Sequence, residues 1–372
     1  MTETLDAVAA GDDGSSKLVV DTPALLVDLD VMERNIDTIA GICRAAGVAW
    51  RPHIKGQKVV EIARKELAAG AIGITCAKLG EAEVFAAAGI RNILIANQVV
   101  GAEKMRRLAA LAHAADPIVA IDNAAHVRAL ADTFRDAGRR LGVVIEVDVG
   151  MNRAGIRPGA PVAELAQLVA RESGLVFRGV IGWESQAVTI ASAEEKARVV
   201  AAAVRLLVGS AEECRKAGLA VDIVSCGGTG TLPFCARQPG VTEVQAGGGI
   251  FSDNHYRQHY HVDFPAALTI LTTVASRPTA TRIILDAGKK SMSSDAAMPS
   301  PIGLGPIRSM RLSAEHTTIE LEAPSETPRI GDKVELTVGY SDTTVHLHNE
   351  IVAVRNGRVE AIWPIAARGR SK

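Results

Sequence analysis

The sequence predicts an α/β protein, a (β/α)8 TIM-type barrel followed by a second, mainly β C-terminal domain. Three observations carry this. Between about residues 25 and 250, short apolar runs alternate with amphipathic helical stretches. The strand runs are continuously apolar, as parallel strands covered on both faces are. After about residue 262 the helical periodicity stops and strand-like runs with turn signals take over. A doubly wound open sheet is the alternative, but no Gly-x-Gly-x-x-Gly follows the first strand.

Taken in order, a strand over 25–30 and a helix come first. Eight barrel strands are then expected at 50–54, 72–77, 92–96, 117–121, 143–148, 178–183, 222–226 and 242–246. Helices are expected at 59–69, 81–88, 102–115, 124–137, 162–172 and 193–217, between successive strands. Strands at 267–276, 282–286, 317–322, 333–338 and 351–355 follow, with a breaker-dense segment at 291–305. Asn356-Gly357 between 351–355 and 358–362 is a strong hairpin signal. The expected organisation is a flexible tail at 1–16, a barrel at 17–262 and a β domain at 263–372. Residues 17–24, with a strand around 17–20, are expected to pair with the β domain.

Composition limits the function. The chain has 372 residues, 48% of them hydrophobic and 22% charged, which excludes disordered, collagen-like and coiled-coil chains. A net charge of −1 argues against a nucleic-acid binder that works by bulk electrostatics. Three Trp, three Tyr and six Phe are too few for a base-stacking surface. No run of ~18 apolar residues suggests a membrane span. The acidic, Gly/Ala-rich start lacks the pattern of a signal peptide, so a cytoplasmic location is expected. Five cysteines without paired metal spacing are expected to be reduced, with Cys43, Cys76 and Cys226 buried.

A barrel carries its chemistry at the C-terminal ends of its strands. There stand Lys55, Cys76 with Lys78, Asn97-Gln98, Asp122, Asp148 to Arg153, Trp183 to Gln186, Cys226 to Thr231 and Gly247 to Gly249. Lys55 closes Arg51-Pro52-His53-Ile54-Lys55. An amine desolvated at a strand end favours its neutral, nucleophilic form, whereas a lysine emerging into solvent does nothing. Gly227, Gly228, Thr229, Gly230 and Thr231 can nest a phosphate on backbone N–H groups, with Gly247, Gly248 and Gly249 as the other half of the cradle. The plain alternative is two flexible turns. Arg153 can hold a phenolic oxygen or a carboxylate, or sit on a capped surface loop. If 342–348 is a strand, Asp342, Thr344, His346 and His348 share one face, as a metal site or as a solvated one. His255, His259 and His261 form a further cluster.

These residues together resemble the D-threonine aldolase, D-serine dehydratase and 3-hydroxy-D-aspartate aldolase group, fold-type III pyridoxal-phosphate enzymes with an alanine racemase-like barrel. The similarity runs from Asp21-Thr22-Pro23-Ala24-Leu25 with Asp28, through the lysine motif, the loop of Arg153 and the glycine turns, to Asp286-Ala287-Gly288, Glu315-His316 and the Trp363 to Arg370 ending. The resemblance implies pyridoxal 5′-phosphate carried by Lys55, with His53 beside it. It implies the phosphate on Gly228, Thr229, Gly230, Thr231, Gly247, Gly248 and Gly249, Arg153 at the cofactor ring, an amino acid substrate and a homodimer. The group also carries a divalent metal (Mn, Mg or Zn) on a His-x-Cys or His-x-Asp pair. Here Asp342 matches the second ligand, but Tyr340 stands where the histidine should be. That departure leaves the metal open and makes Tyr340 a candidate acid or base toward a substrate hydroxyl. Trp183-Glu184-Ser185-Gln186 also departs from the aldolases, and Glu184, Gln186, Arg157 and the 254–261 stretch are candidate pocket residues. The implied reaction is retro-aldol cleavage of a D-3-hydroxy amino acid to glycine and an aldehyde. Dehydration, racemisation and a non-catalytic cofactor-holding role are the alternatives.

Overall fold

The computed structural model describes residues 14–135 and 137–372. The expected tail at 1–16 lies outside the described residues except for 14–16. In chain order the elements are β1 (Ala24–Asp28), α1 (Leu29–Ala46), β2 (Ala49–Trp50), α2 (Val60–Ala68), β3 (Ile74–Cys76), α3 (Leu79–Ala87), β4 (Ile93–Gln98), α4 (Ala102–Ala114), β5 (Pro117–Ile121), α5 (Ala124–Phe134), β6 (Leu141–Glu146), α6 (Ala160–Arg171), β7 (Leu175–Ile181), α7 (Ala193–Lys216), β8 (Ile223–Cys226), α8 (Leu232–Cys235), β9 (Glu243–Val244) and α9 (Asn254–Gln258). They continue as β10 (Leu268–Ser276), β11 (Arg282–Leu285), β12 (Ser300–Pro301), β13 (Ile307–Leu312), β14 (Thr317–Leu321), β15 (Lys333–Thr337), α10 (Ser341–Val345), β16 (Glu350–Arg355) and β17 (Arg358–Pro364).

One compact unit is the barrel. Its eight parallel strands run in the order β2-β9-β8-β7-β6-β5-β4-β3. A parallel bridge between His53 and Thr75 joins β2 to β3 and closes the ring. All eight expected strands are present: β2, β3, β8 and β9 are shorter than the apolar runs, β5 matches its run, and β4, β6 and β7 are shifted by one to three residues. Ile118, Ala120, Val144, Ile181 and Ile223 from successive strands pack with Leu94 as an inner layer. Helix α6 lays an apolar stripe of Val162, Leu165, Ala166 and Val169 against the strands. Arg51 fastens β2 in place. Its guanidinium donates to both carboxylate oxygens of Glu243 next to it on β9, and to the Asn92 carbonyl and side chain ahead of β4. All three nitrogens of the guanidinium donate, as a buried cation requires.

The other unit is built on a nine-stranded sheet in the order β13-β14-β11-β10-β1-β16-β17, with β15 and β12 joined through β10. Two sequence expectations change here. The opening strand β1, placed within the 17–262 barrel region, pairs antiparallel with β10 and parallel with β16, so it is a β-domain strand. Its buried Leu26 packs with Leu271, Val352, Val354 and Val359. Residues 17–19 form a 3₁₀ turn and not a strand, because the Ser16 hydroxyl accepts from the Leu18 amide and coils the chain. Ser16 itself bridges Arg358. The Asp21-Thr22-Pro23 motif is structural: Thr22 donates to Asp286, whose other oxygen accepts from the Thr273 amide. The hairpin between β16 and β17 turns on Asn356 and Gly357 at φ 51° and 73°, the two left-handed positions of a type I′ turn. No described helix is long and apolar enough to cross a membrane. All five cysteines are buried and free.

Candidate active site

Parallel strands bring their C-terminal ends to one end of the barrel, so the residues after each strand converge there. After β2 the chain makes a tight turn over 54–57. The expected desolvation of Lys55 is not found: Lys55 lies exposed on this turn, past the end of the apolar strand. What the fold provides is a rigid base for the amine. The Ile54 amide donates to the Thr75 carbonyl. Lys58, at φ 58°, is buried and ion-paired with Glu81, which also accepts from the amides of Ala77 and Lys78. Gln57 Nε2 donates to Glu66 at 3.0 Å and to the Gly247 carbonyl at 3.0 Å. His53 Nδ1 lies 3.4 Å from the Lys55 amide nitrogen. The lysine turn is thus tied to the glycine turn of the neighbouring strand β9.

The two glycine turns are themselves joined. The Gly249 amide donates to Thr229 Oγ1 at 2.9 Å. Thr231 was expected to offer its hydroxyl to a phosphate. Instead it donates that proton to Glu184 at 2.6 Å, so Thr231 fixes the turn. Glu184 is buried, also accepts from the Gly227 amide at 3.3 Å, and is a loop anchor and not a pocket residue. Burial pushes its carboxyl above the usual range, although the Thr231 bond opposes this. Among the described residues the amides of Thr229, Gly230, Gly247 and Gly248 have no protein acceptor. Four spare N–H groups on two joined turns fit a phosphate ester.

The glycines are required by packing. A Cβ on Gly228 would stand 2.4 Å from the Trp183 ring, one on Gly248 2.0 Å from the Tyr256 hydroxyl, and one on Gly247 2.2 Å from the His53 carbonyl. The last contact is with backbone, so it cannot relax by rotating a side chain. Gly247→Ala is expected to cost about 2 kcal/mol or more and to displace the lysine turn. A thermal melt of the variant that matches the parent would contradict this.

Beyond these turns, the ends of β4, β5 and β6 gather polar groups. Gln98 donates to Glu146 at 2.6 Å, and Arg153 stands 3.8 Å from the other oxygen of that carboxyl. Burial is the main cause that raises Glu146. Asp122 holds the Gly155 amide and faces His126. Asp148 caps its own loop through the amides of Gly150 and Asn152. Gln186 is exposed and donates to the Val149 carbonyl at 3.0 Å. Arg153 itself is exposed.

Tyr340 and Asp342 belong to the other unit. The segment 342–348 is not a strand: Ser341–Val345 is a helix, with the Ser341 amide held by buried Asp253 at 2.7 Å. Asp342 and His346 therefore share a helical face, whereas His348 Nε2 lies 2.7 Å from the Ser291 carbonyl oxygen. Tyr340 packs edge-on against His255, ring centroids 4.9 Å apart. Among the described residues no group of three or more His, Cys, Asp or Glu side chains is arranged to hold a metal ion. A phenol with one carboxylate is a poor donor set for Mn, Mg or Zn, so these residues do not fit such an ion.

The chain is similar to known proteins over nearly its whole length. The family profile of the alanine racemase N-terminal domain matches residues 27–255, and that of a serine dehydratase domain matches 267–354. A D-threonine aldolase of an Arthrobacter species is 37% identical, over 95% of this chain and 94% of that protein. A 3-hydroxy-D-aspartate aldolase of Paracoccus denitrificans (strain Pd 1222) is 31% identical, over 96% and 94%. The crystal structure of D-threonine aldolase from Filomicrobium marinum superposes with a TM-score of 0.92 at 34% identity, over 96% of this chain and 97% of that one.

Proposed function

Since the chain belongs to the alanine racemase-like, fold-type III pyridoxal-phosphate enzymes, we propose that it is a carbon–carbon lyase that splits D-3-hydroxy amino acids, of the D-threonine or 3-hydroxy-D-aspartate type, into glycine and an aldehyde. The similarity to two aldolases supports the reaction class. The observation that carries the reading is the exposed Lys55 amine on a turn hydrogen-bonded to a glycine turn with spare amides. When bound, pyridoxal phosphate supplies the electron sink that lets the bond between Cα and Cβ break.

In this reading Lys55 Nζ holds the cofactor's carbonyl carbon. The amides of Thr229, Gly230, Gly247 and Gly248 and the Thr229 hydroxyl hold its phosphate. Gly228, Gly249 and Thr231 keep those turns in shape. Arg153 would hold the ring, and His53 would move a proton beside Lys55. The reaction must remove the proton of the 3-hydroxyl as the Cα–Cβ bond breaks, then return a proton to Cα to form glycine. Tyr340 is assigned the first task from its sequence position, without a metal on Asp342. Tyr340→Phe is expected to lower kcat and leave KM nearly unchanged. The reading includes a homodimer in the cytoplasm.

Purified, cofactor-loaded protein is expected to convert D-threonine to glycine and acetaldehyde equally well with and without EDTA. Ammonia and a keto acid without glycine would overturn the aldolase in favour of a dehydratase. Loss of activity in EDTA, restored by Mn, would overturn the assignment of Tyr340.

A further inference from the structure

Helix α7 buries one charged side chain among its apolar ones. Its buried face runs Lys196, Val200, Ala203, Val204, Leu207 and Ala211. Lys196 is 3% exposed. Its ammonium donates to two backbone carbonyls, Val188 at 2.9 Å and Tyr260 at 2.8 Å. Among the described residues no carboxylate stands within ion-pair distance of it. Glu184 bonds to Thr231 and Gly227 instead. Burial alone shifts the Lys196 amine downward, with no acid opposing it. A buried ammonium held only by neutral carbonyls is costly until a counter-charge arrives.

The two residues that hold Lys196 are also those that back the first glycine turn. A Cβ on Gly230 would lie 3.4 Å from Tyr260 Cβ and 3.5 Å from Val188 Cβ. The cation thus bonds to the same two residues that pack against a turn whose Thr229 and Gly230 amides have no protein acceptor. The acid in contact with that turn, Glu184, is itself pushed toward its neutral form. A positive charge with no carboxylate beside it and spare amides both favour a dianion at this place.

We propose that Lys196 is the buried counter-charge of the phosphate bound by the Gly227–Thr231 turn, a positioning residue that acts through space across Val188 and Tyr260. This rests on the cofactor reading above, although the phosphate preference can be tested without it. The experiment compares the protein with Lys196→Met and Lys196→Gln, using pyridoxal phosphate, unphosphorylated pyridoxal and inorganic phosphate as probes. Both variants are expected to bind pyridoxal phosphate roughly tenfold more weakly or worse, with pyridoxal affinity changed less than about twofold. Inorganic phosphate is expected to raise the melting temperature of the parent and not of the variants. Without phosphate the variants are expected to melt slightly below the parent, because the Val188 and Tyr260 carbonyls lose donors.

Equal losses for pyridoxal and its phosphate would overturn the proposal in favour of a purely structural tie. A parent that inorganic phosphate does not stabilise would overturn it too. If the protein binds neither pyridoxal compound, the cofactor reading falls, and the inorganic phosphate arm still decides the role of Lys196. Should Lys196→Met fail to fold, Lys196→Gln keeps a donor for the Val188 or Tyr260 carbonyl and answers alone.

Discussion

Lys55→Ala is expected to lower kcat by about 10³-fold or more while leaving the fold intact. Lys55 is exposed, and its neighbours Gln57 and Lys58 tie the turn to Gly247 and Glu81. Removing the side chain therefore empties no core space, and stability should move by less than about 0.5 kcal/mol. The glycine turns remain, so the variant should still bind the cofactor through its phosphate but lose the absorbance band of the lysine-bound form. A small added amine should restore part of the rate. Lys58→Ala serves as the contrast. Lys58 is buried and paired with Glu81, so its loss leaves a buried carboxylate and should cost about 3 kcal/mol of stability. A Lys55→Ala protein with near-parental kcat would remove the basis of the mechanism.

The second large effect concerns Glu66, which no solvent reaches. Gln57 donates to one of its oxygens, and the other, together with Gln57 Oε1, has no hydrogen-bond partner. Burial pushes the carboxyl from 4.5 up to about 8, against the bond from Gln57. A protonated Glu66 supplies the missing donor. The folded protein thus holds a proton that the unfolded chain releases above pH 4.5. Stability from this group is full below pH 4.5 and is lost as pH rises to about 8. The loss is on the order of 5 kcal/mol. Glu66→Gln keeps the shape and stays neutral, so its stability should exceed the parent's at pH 9 and match it near pH 4. Glu66→Ala should be less stable throughout, because it opens a cavity and frees Gln57. Denaturant melts of the three proteins at several pH values measure this. The same pH slope in the parent and in Glu66→Gln would mean that Glu66 is ionised when buried.

What could be seen in the sequence follows the strength of each physical signal. Barrel strands such as 117–121 were legible because they are apolar on both faces, and all five residues of β5 are buried. The β16–β17 hairpin was legible because Asn-Gly suits a turn with two left-handed residues. β13 was missed because its residues are exposed or half-buried, without the alternation of a one-sided strand. Residues 342–348 showed a strand-like alternation, yet the carboxylate of Asp253, 88 residues away in sequence, caps a helix there. Glu184 looked like a pocket residue because no local pattern shows that it is committed to Thr231. Two residues missed in the sequence left a readable trace. Glu66 shares the buried face of α2 with Ile62 and Ala63, and Lys196 shares that of α7 with Val200. A lone charge on an apolar stripe must be paired, neutralised or used.

The central claim is that Lys55 carries the cofactor between glycine turns built to hold its phosphate. Borohydride reduction of the cofactor-loaded protein, followed by peptide mapping, tests it most directly. The account predicts a phosphopyridoxyl group on Lys55 in nearly every chain. Its appearance on Lys58, Lys78 or Lys196, or on no lysine, would contradict it.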